Sequence, residues 1–265
     1  MKLGFIGCGT ITAAIITGLT AAGHNETIVV SPRNADIAAD LAHRFSHVEI
    51  AASNQDVLDR CDVAVLAVRP QVVAGVLAEL TFRPDHQVIS LVAAVSLDYL
   101  RGATAPAMSI VRAVPLPMVA RRQGPTALFP AGGVAKTLFD RLGTAIELDD
   151  ETAFATFTAA TAMMASYFRF AGAAAHWMEN QGIDVARSNA FIRQMFSGLA
   201  GTGLETPERS LNALAGEHET RGGLNEQVRV FLEGQGVFGA VAQGLDAVQT
   251  RLTAAQAAPT GNARS

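Results

Sequence analysis

The 265-residue chain predicts an α/β protein in which a doubly wound sheet comes first and an all-helical part follows. Three observations predict it. A short apolar run at residues 2–6 feeds the turn Gly7-Cys8-Gly9, which opens an amphipathic helix. Compact β-branched runs then alternate with helical stretches as far as residue 148, the pattern of successive β-α-β units. From Asp149 the β-rich runs stop and helical spacing takes over. The expected division is therefore a sheet domain at 1–148 and a helical domain at 149–256. A tail at 257–265 has no apolar pattern and is expected to be disordered.

The first helix, residues 10–22, carries Ile11, Ile15, Ile16 and Leu19 along one face. Gly7 lets the chain turn sharply. The missing side chain at Gly9 lets a pyrophosphate reach the backbone, where the helix-start N–H groups of Thr10 and Ile11 and the positive end of the helix dipole hold it. Between a strand and a helix, such a turn marks a Rossmann-type dinucleotide site; alone it would be only a strand–helix joint. The third position of the motif is Thr12 rather than glycine.

Residues 27–31 form the second strand, and its end selects the coenzyme. An acidic residue there accepts the ribose 2′-hydroxyl of NAD, whereas an arginine suits a 2′-phosphate. Here the chain reads Ser31-Pro32-Arg33-Asn34, with no carboxylate before Asp36. Ser31, Arg33 and Asn34 can donate to a phosphate, so NADPH (NADP+) is the expected cofactor; the plainer reading of Arg33 is a solvated helix-start residue.

A helix at 35–44, a strand at 48–51 and a short helix capped near Ser53 or Asn54 follow. Residues 62–68 read as a strand buried on both faces, and Pro70 opens the next helix. Further strands are expected at 87–91, 109–114, 125–129 and 144–148, with a helix at 133–142. In open α/β sheets ligands collect at the carboxyl ends of the strands. That adds Ala67, Val68, Arg69 and Pro70, and the loop at 92–94 with Ala93, to the expected cofactor site.

In the second part, helices are expected at 151–180 with an interruption near Gly172, at 184–199 ending at Gly201 and Gly203, after Pro207, at 224–233 and at 238–254. Their alanine-rich faces suit close packing against a partner subunit.

Composition narrows the classes. The chain is 49% hydrophobic, with a net charge of −4. Basic and acidic residues balance at twelve each before Asp149, so the surplus acid lies wholly from Asp149 onward. No basic run with interleaved aromatics is present, which argues against nucleic acid or an anionic membrane as partner. Cys8 and Cys61 suit buried thiols in a reducing cytoplasm, and the N-terminus enters the first strand without room for a signal peptide. Residues 152–168 are uncharged but rich in Ala and Thr, which fits a buried helix better than a membrane span. His43 and His47, four apart on a helix, read as a surface pair rather than metal ligands, and no metal is expected.

Taken together, the motifs resemble those of pyrroline-5-carboxylate reductases along nearly the whole chain. Residues 2–9 are similar to the family's opening, and Val29-Val30-Ser31-Pro32-Arg33 to its NADPH-type second strand. Residues 65–71 resemble its V-x-A-V-K-P-Q strand end with Arg69 for lysine, residues 88–94 its I-S-x-A-A-G loop, and residues 110–115 its V-R-V-M-P. The resemblance implies that Asn54 lies against the nicotinamide-side ribose, that Asn225 stands where the family has a threonine beside the imine, and that the helical domains interlock two subunits. The substrate-side motifs are altered. P-N-T-P becomes Pro115-Leu116-Pro117-Met118, S-G-S-G-P-A-Y becomes residues 160–166, and T-S-P-G-G-T-T becomes residues 219–225.

On the substrate side, the run Arg221-Gly222-Gly223-Leu224-Asn225 opens a helix whose free N–H groups make an anion site. A substrate carboxylate would dock there, with Pro115 in a dry wall; the alternative is a flexible turn with a solvated arginine. Tyr167 is a candidate proton donor, as is His176, each equally suited to core or interface. Lys2 and Lys136 are the only lysines, so the helical part carries no lysine acid. The expected activity is NADPH-dependent reduction of a small-molecule cyclic imine carboxylate, 1-pyrroline-5-carboxylate to L-proline, by a cytoplasmic homodimer or higher homo-oligomer. The alternatives are a reductase of a more apolar imine or ketone, and an NADP(H)-binding protein without turnover.

Overall fold

The computed structural model describes residues 1–257. It separates into two compact units, one of residues 1–159 with 249–257, the other of residues 160–248. Of the tail expected to be disordered, 258–265 lie outside the described residues and Ala257 closes the last helix.

The first unit runs β1 (Leu3–Ile6), α1 (Thr10–Ala21), β2 (Ile28–Val30), α2 (Ala35–Arg44), β3 (Val48–Ile50), α3 (Asn54–Arg60), β4 (Val63–Leu66), α4 (Pro70–Ala78), β5 (Gln87–Ser90), α5 (Leu97–Ala103) and β6 (Ser109–Pro115). A 3₁₀ turn (Pro117–Arg121) leads to β7 (Gly124–Phe129), α6 (Gly133–Asp140), β8 (Gly143–Glu147) and α7 (Glu151–Ala160). The strands form one sheet in the order β3-β2-β1-β4-β5-β6-β7-β8. Strand order reverses between β1 and β4, which pair in parallel with Leu3 opposite Val63. Parallel pairing holds through β6, but β7 runs antiparallel to it. The connection at 116–123 explains the reversal, since a parallel return needs a crossover of about a dozen residues or more.

Strand alternation sorts the core into two layers. Leu3 and Phe5 of β1 face α1, α2 and α6, packing with Ile15, Leu41 and Phe139. Ile6, on the opposite face, packs with Val57, Leu58 and Leu100 of α3 and α5. Each such side chain taken fully from water contributes about 1.5–3 kcal/mol. Between the latter layer and β1, a Cβ on Gly4 would stand 2.7 Å from both Val57 Cγ1 and Cys61 Sγ, so its absence lets α3 lie close on the sheet.

Helix α5 was not among the sequence expectations. Its signal is confined to one turn, the Leu97/Leu100 pair behind Ser96, whose hydroxyl accepts from Tyr99 N at 3.2 Å. His43 and His47 do not share a helix as their spacing suggests. Helix α2 ends at Arg44, so only His43 is helical, while His47 Nε2 lies 3.2 Å from Thr20 Oγ1.

The second unit contains α8 (Met163–Asn180), α9 (Val185–Glu205), α10 (Leu211–Glu217), α11 (Leu224–Gly234) and most of α12 (Val237–Ala257). The long helix expected at 151–180 breaks at 161–162 rather than at Gly172, which lies inside α8. Likewise α9 does not stop at its glycines but runs through Gly198, Gly201 and Gly203 to Glu205. A helical glycine costs about 1 kcal/mol relative to alanine, a penalty that tertiary contacts outweigh. Among the described residues of 160–248, only Ala175, Ser188 and Ile192 are buried. Large apolar side chains are exposed instead: Trp177 at 64%, Phe231 at 63% and Phe168 at 72%.

Candidate functional site

Parallel strands β2, β1, β4, β5 and β6 bring their carboxyl ends to one edge of the sheet, and the loops there hold most of the expected cofactor residues. Gly7 turns the chain at φ 106°, and a Cβ on it would overlap the carbonyl oxygen of Ala67. The peptide groups on either side of its Cα are each held by a hydroxyl. Gly7 N–H donates to Ser31 Oγ at 3.0 Å, and Thr12 Oγ1 donates to the Gly7 carbonyl at 2.7 Å. Gly9 caps α1 in an extended conformation, and a Cβ built on it meets nothing within 4 Å. Thr10 is exposed and Ile11 half-buried, and α1 has no acidic residue in its first turn to oppose an anion. A pyrophosphate fits this opening: the space before Gly9 is free, and first-turn N–H groups have no acceptor within the helix.

The neighbouring strand ends differ in accessibility. Ser31 is fully buried, so its hydroxyl braces the turn instead of opening to solvent. Arg33 and Asn34 are exposed, with Asn34 at φ 71° ahead of α2. After β4, Ala67 and Val68 are half-buried, Arg69 caps α4 and is exposed, and Pro70 begins that helix. Asn54, half-buried, is the first residue of α3, behind a Ser53 cap that accepts from Asp56 N at 3.1 Å. Beyond β5, Ala93 is exposed between buried Val92 and Ala94 at φ 59°. Pro115 closes β6 half-buried, opposite Thr126. Burial pushes the Cys8 thiol up to about 11, so the cysteine in the turn stays protonated and unreactive.

A further group near this edge escaped the sequence reading. Arg112 of β6 is 1% exposed and ion-paired with Glu151 at the start of α7. The same Glu151 oxygen accepts from Leu97 N at 2.9 Å, so one carboxylate ties β6 to the start of α5. The guanidinium carbon sits 4.3 Å from the Phe154 ring centroid. Burial lowers the arginine pKa, and the Glu151 charge opposes that. The signal was a lone arginine inside an apolar strand, which requires a buried counter-charge.

In the helical unit, Gly222 at φ 73° and Gly223 lead into α11. Gly222 N–H donates to Glu226 Oε2 at 2.5 Å, and Gly223 N–H to the Thr220 carbonyl at 2.7 Å. Arg221 and Leu224 are exposed. The Asn225 amide donates from Nδ2 to the His218 carbonyl at 2.7 Å, which leaves Oδ1 as its free, accepting end. Tyr167 is 47% exposed, with the Phe168 ring 5.2 Å and the Phe196 ring 6.0 Å away. His176 lies on the outside of α8, with Nδ1 3.2 Å from Glu179 Oε2. Among the described residues no three His, Cys, Asp or Glu side chains form a metal-sized group. No described helix is long and apolar enough to cross a membrane.

Comparison with known proteins places these features. Residues 2–94 match the family model described as NADP oxidoreductase coenzyme F420-dependent. The Haemophilus influenzae pyrroline-5-carboxylate reductase is 26% identical over 262 residues, covering 94% of this chain and 95% of that protein. The crystal structure of 1-pyrroline-5-carboxylate reductase from Streptococcus pyogenes superposes with a TM-score of 0.83 at 26% identity, over 96% of this chain and 98% of that one. The Escherichia coli pyrroline-5-carboxylate reductase is 30% identical over 257 residues, 92% of this chain and 94% of its own length. With that identity carried through both the sheet and the helical part, the chain belongs to the pyrroline-5-carboxylate reductase family.

Proposed function

We propose that the protein reduces a cyclic imine carboxylate with NADPH, converting 1-pyrroline-5-carboxylate to L-proline. The observation that carries the proposal is the glycine turn at residues 7–9, open in front of Gly9 and followed at the end of β2 by exposed Arg33 and Asn34 with no acidic residue between them and the strand. The coenzyme supplies the hydride; the chain supplies placement. Thr10 and Ile11 N–H groups hold the pyrophosphate, Arg33 and Asn34 the 2′-phosphate, and Asn54, Arg69 and Ala93 complete the cofactor contacts. The glycine N–H groups of the 221–224 turn are not free as the sequence suggests, since Gly222 donates to Glu226 and Gly223 to the Thr220 carbonyl, so the substrate carboxylate is taken by Arg221 and the first-turn N–H groups of Leu224 and Asn225. Asn225 Oδ1, its amide fixed by His218, accepts from the iminium N–H. An iminium is activated by its own proton and needs no strong acid, so Tyr167 serves as an orienting wall or donor within this reading.

Arg33→Ala tests the coenzyme assignment. A charge-assisted phosphate contact contributes about 1.5–3 kcal/mol, so NADPH binding should weaken by roughly 10- to 100-fold while NADH binding stays near wild type. Fluorescence titration with each coenzyme reads this, and equal losses for both would refute it. Turnover confined to bulky imines would instead favour the more apolar substrate class suggested by Leu116, Met118, Met163 and Met164. Binding without turnover on any imine would favour a non-catalytic NADP(H) protein.

We also propose a cytoplasmic homodimer or higher homo-oligomer built on the helical part. The support is physical: a unit of residues 160–248 with three buried side chains and aromatic residues in water lacks a core of its own. Analytical ultracentrifugation should show no stable monomer at micromolar concentration, and Phe231→Asp should shift the equilibrium toward monomer. A monodisperse wild-type monomer would exclude it.

A further inference from the structure

Two buried hydroxyls hold the two peptide groups that flank the Gly7 Cα, one on each side, and neither reaches solvent. Ser31, at the end of β2, accepts the Gly7 N–H at 3.0 Å; Thr12, in the first turns of α1, donates to the Gly7 carbonyl at 2.7 Å. Both residues are 0% exposed. The usual motif has glycine at the Thr12 position to let helix and strand pack closely. Here the side chain fits and its hydroxyl satisfies the carbonyl of the residue that turns the chain. Gly7 needs such restraint. Glycine at φ 106° has the widest choice of alternative conformations of any residue, so an untethered turn would spend much of its time in shapes that do not present the Thr10 and Ile11 N–H groups together.

We infer that Thr12 and Ser31 are positioning residues that preorganise the pyrophosphate turn, and that Ser31 does not itself read the 2′-phosphate. Ser31 lies two residues before Arg33, so it belongs to the segment that selects the coenzyme while acting on the part common to NADPH and NADH. The inference rests on the proposed coenzyme site. It makes a distinction that the residue types alone do not: a phosphate ligand changes the ratio of the two affinities, whereas a brace of the shared turn changes both by one factor.

The experiment uses the full-length protein and measures NADPH and NADH dissociation constants for wild type, Ser31→Ala, Thr12→Val, Thr12→Ser and Arg33→Ala. Thr12→Val keeps the volume and removes the hydroxyl; Thr12→Ser keeps the hydroxyl. If the released turn is competent about a tenth of the time, Ser31→Ala and Thr12→Val each weaken both coenzymes about tenfold at a wild-type ratio. Thr12→Ser recovers most of the loss, and Arg33→Ala alone collapses the ratio. Amide exchange in the coenzyme-free protein gives a second readout, with faster exchange at Gly7 in Ser31→Ala and unchanged exchange at Leu3 and Phe5 in the strand. A selective loss of NADPH in Ser31→Ala would make Ser31 a phosphate ligand and overturn the inference. So would wild-type affinities in Thr12→Val. Should Ser31→Ala fail to fold, Ser31→Cys, which keeps nearly the same volume and weakens the bond from Gly7, takes its place in the comparison of the two affinities. Failure of wild type to bind NADPH would refute the coenzyme site itself, a separate outcome.

Discussion

Gly9→Ala is expected to leave the fold intact and to weaken NADPH binding by about 10- to 100-fold, the effect of forcing a methyl group into a close contact at about 1–3 kcal/mol. The two consequences separate because Gly9 sits in an ordinary extended conformation, φ −112°, with no protein atom within 4 Å of a built Cβ. Nothing in the protein objects to the methyl group, and the shortened menu of unfolded conformations would stabilise the chain by up to about 1 kcal/mol. Only a ligand approaching the backbone would be obstructed. Gly7→Ala makes the contrast: its Cβ would overlap the Ala67 carbonyl at a positive φ, so both unfolding midpoint and coenzyme affinity should fall. Thermal unfolding and coenzyme titration of the two variants provide the comparison. If Gly9→Ala bound NADPH like wild type, no pyrophosphate would lie against that backbone.

Glu151→Ala should destabilise the first unit by about 3 kcal/mol, whereas Arg112→Met should cost about 1 kcal/mol, although both break the same ion pair. The asymmetry comes from burial. Arg112 has a side-chain exposure of 2%, so losing Glu151 strands a positive charge without hydration. The Glu151 side chain is 36% exposed and can be solvated once Arg112 is gone, while methionine keeps the packing against Phe154. Glu151→Ala also removes the acceptor of Leu97 N, loosening the start of α5 and the loop that carries Ala93. Coenzyme affinity should therefore drop in Glu151→Ala more than in Arg112→Met. Equal unfolding costs in urea or heat would show that the arginine is neutralised by some other route.

Much of the sheet was legible because each strand is a compact β-branched run bounded by a turn, and strand alternation then dictates which residues face which helix layer. The direction of β7 was not written in its own residues. It lay in the length of the connection before it, a constraint on the chain and not on the strand. Helix breaks were misread at Gly172 and in α9 because glycine lowers helix propensity only slightly, and a neighbouring helix decides the outcome. At the site, Gly7 carries its backbone geometry openly, since few other residues tolerate its positive φ, whereas Gly9 marks open space in front of the helix. The role of Ser31 was ambiguous for a chemical reason. A hydroxyl at a strand end can donate to a phosphate and accept from a backbone N–H, and it is the 3.0 Å bond from Gly7 together with the full burial of Ser31 that favours the second role. Glu226 was likewise invisible as a cap, because a first-turn glutamate on an exposed helix face is a common surface residue until its oxygen is seen at Gly222 N–H.

The most direct measurement is oxidation of NADPH by the purified full-length protein supplied with 1-pyrroline-5-carboxylate, with proline quantified as product. Proline should form in step with NADPH loss, NADH should support a slower reaction, and Gly9→Ala should lower the activity at sub-saturating NADPH without lowering the unfolding midpoint. NADPH that binds tightly yet is never oxidised by 1-pyrroline-5-carboxylate would contradict the proposed reaction.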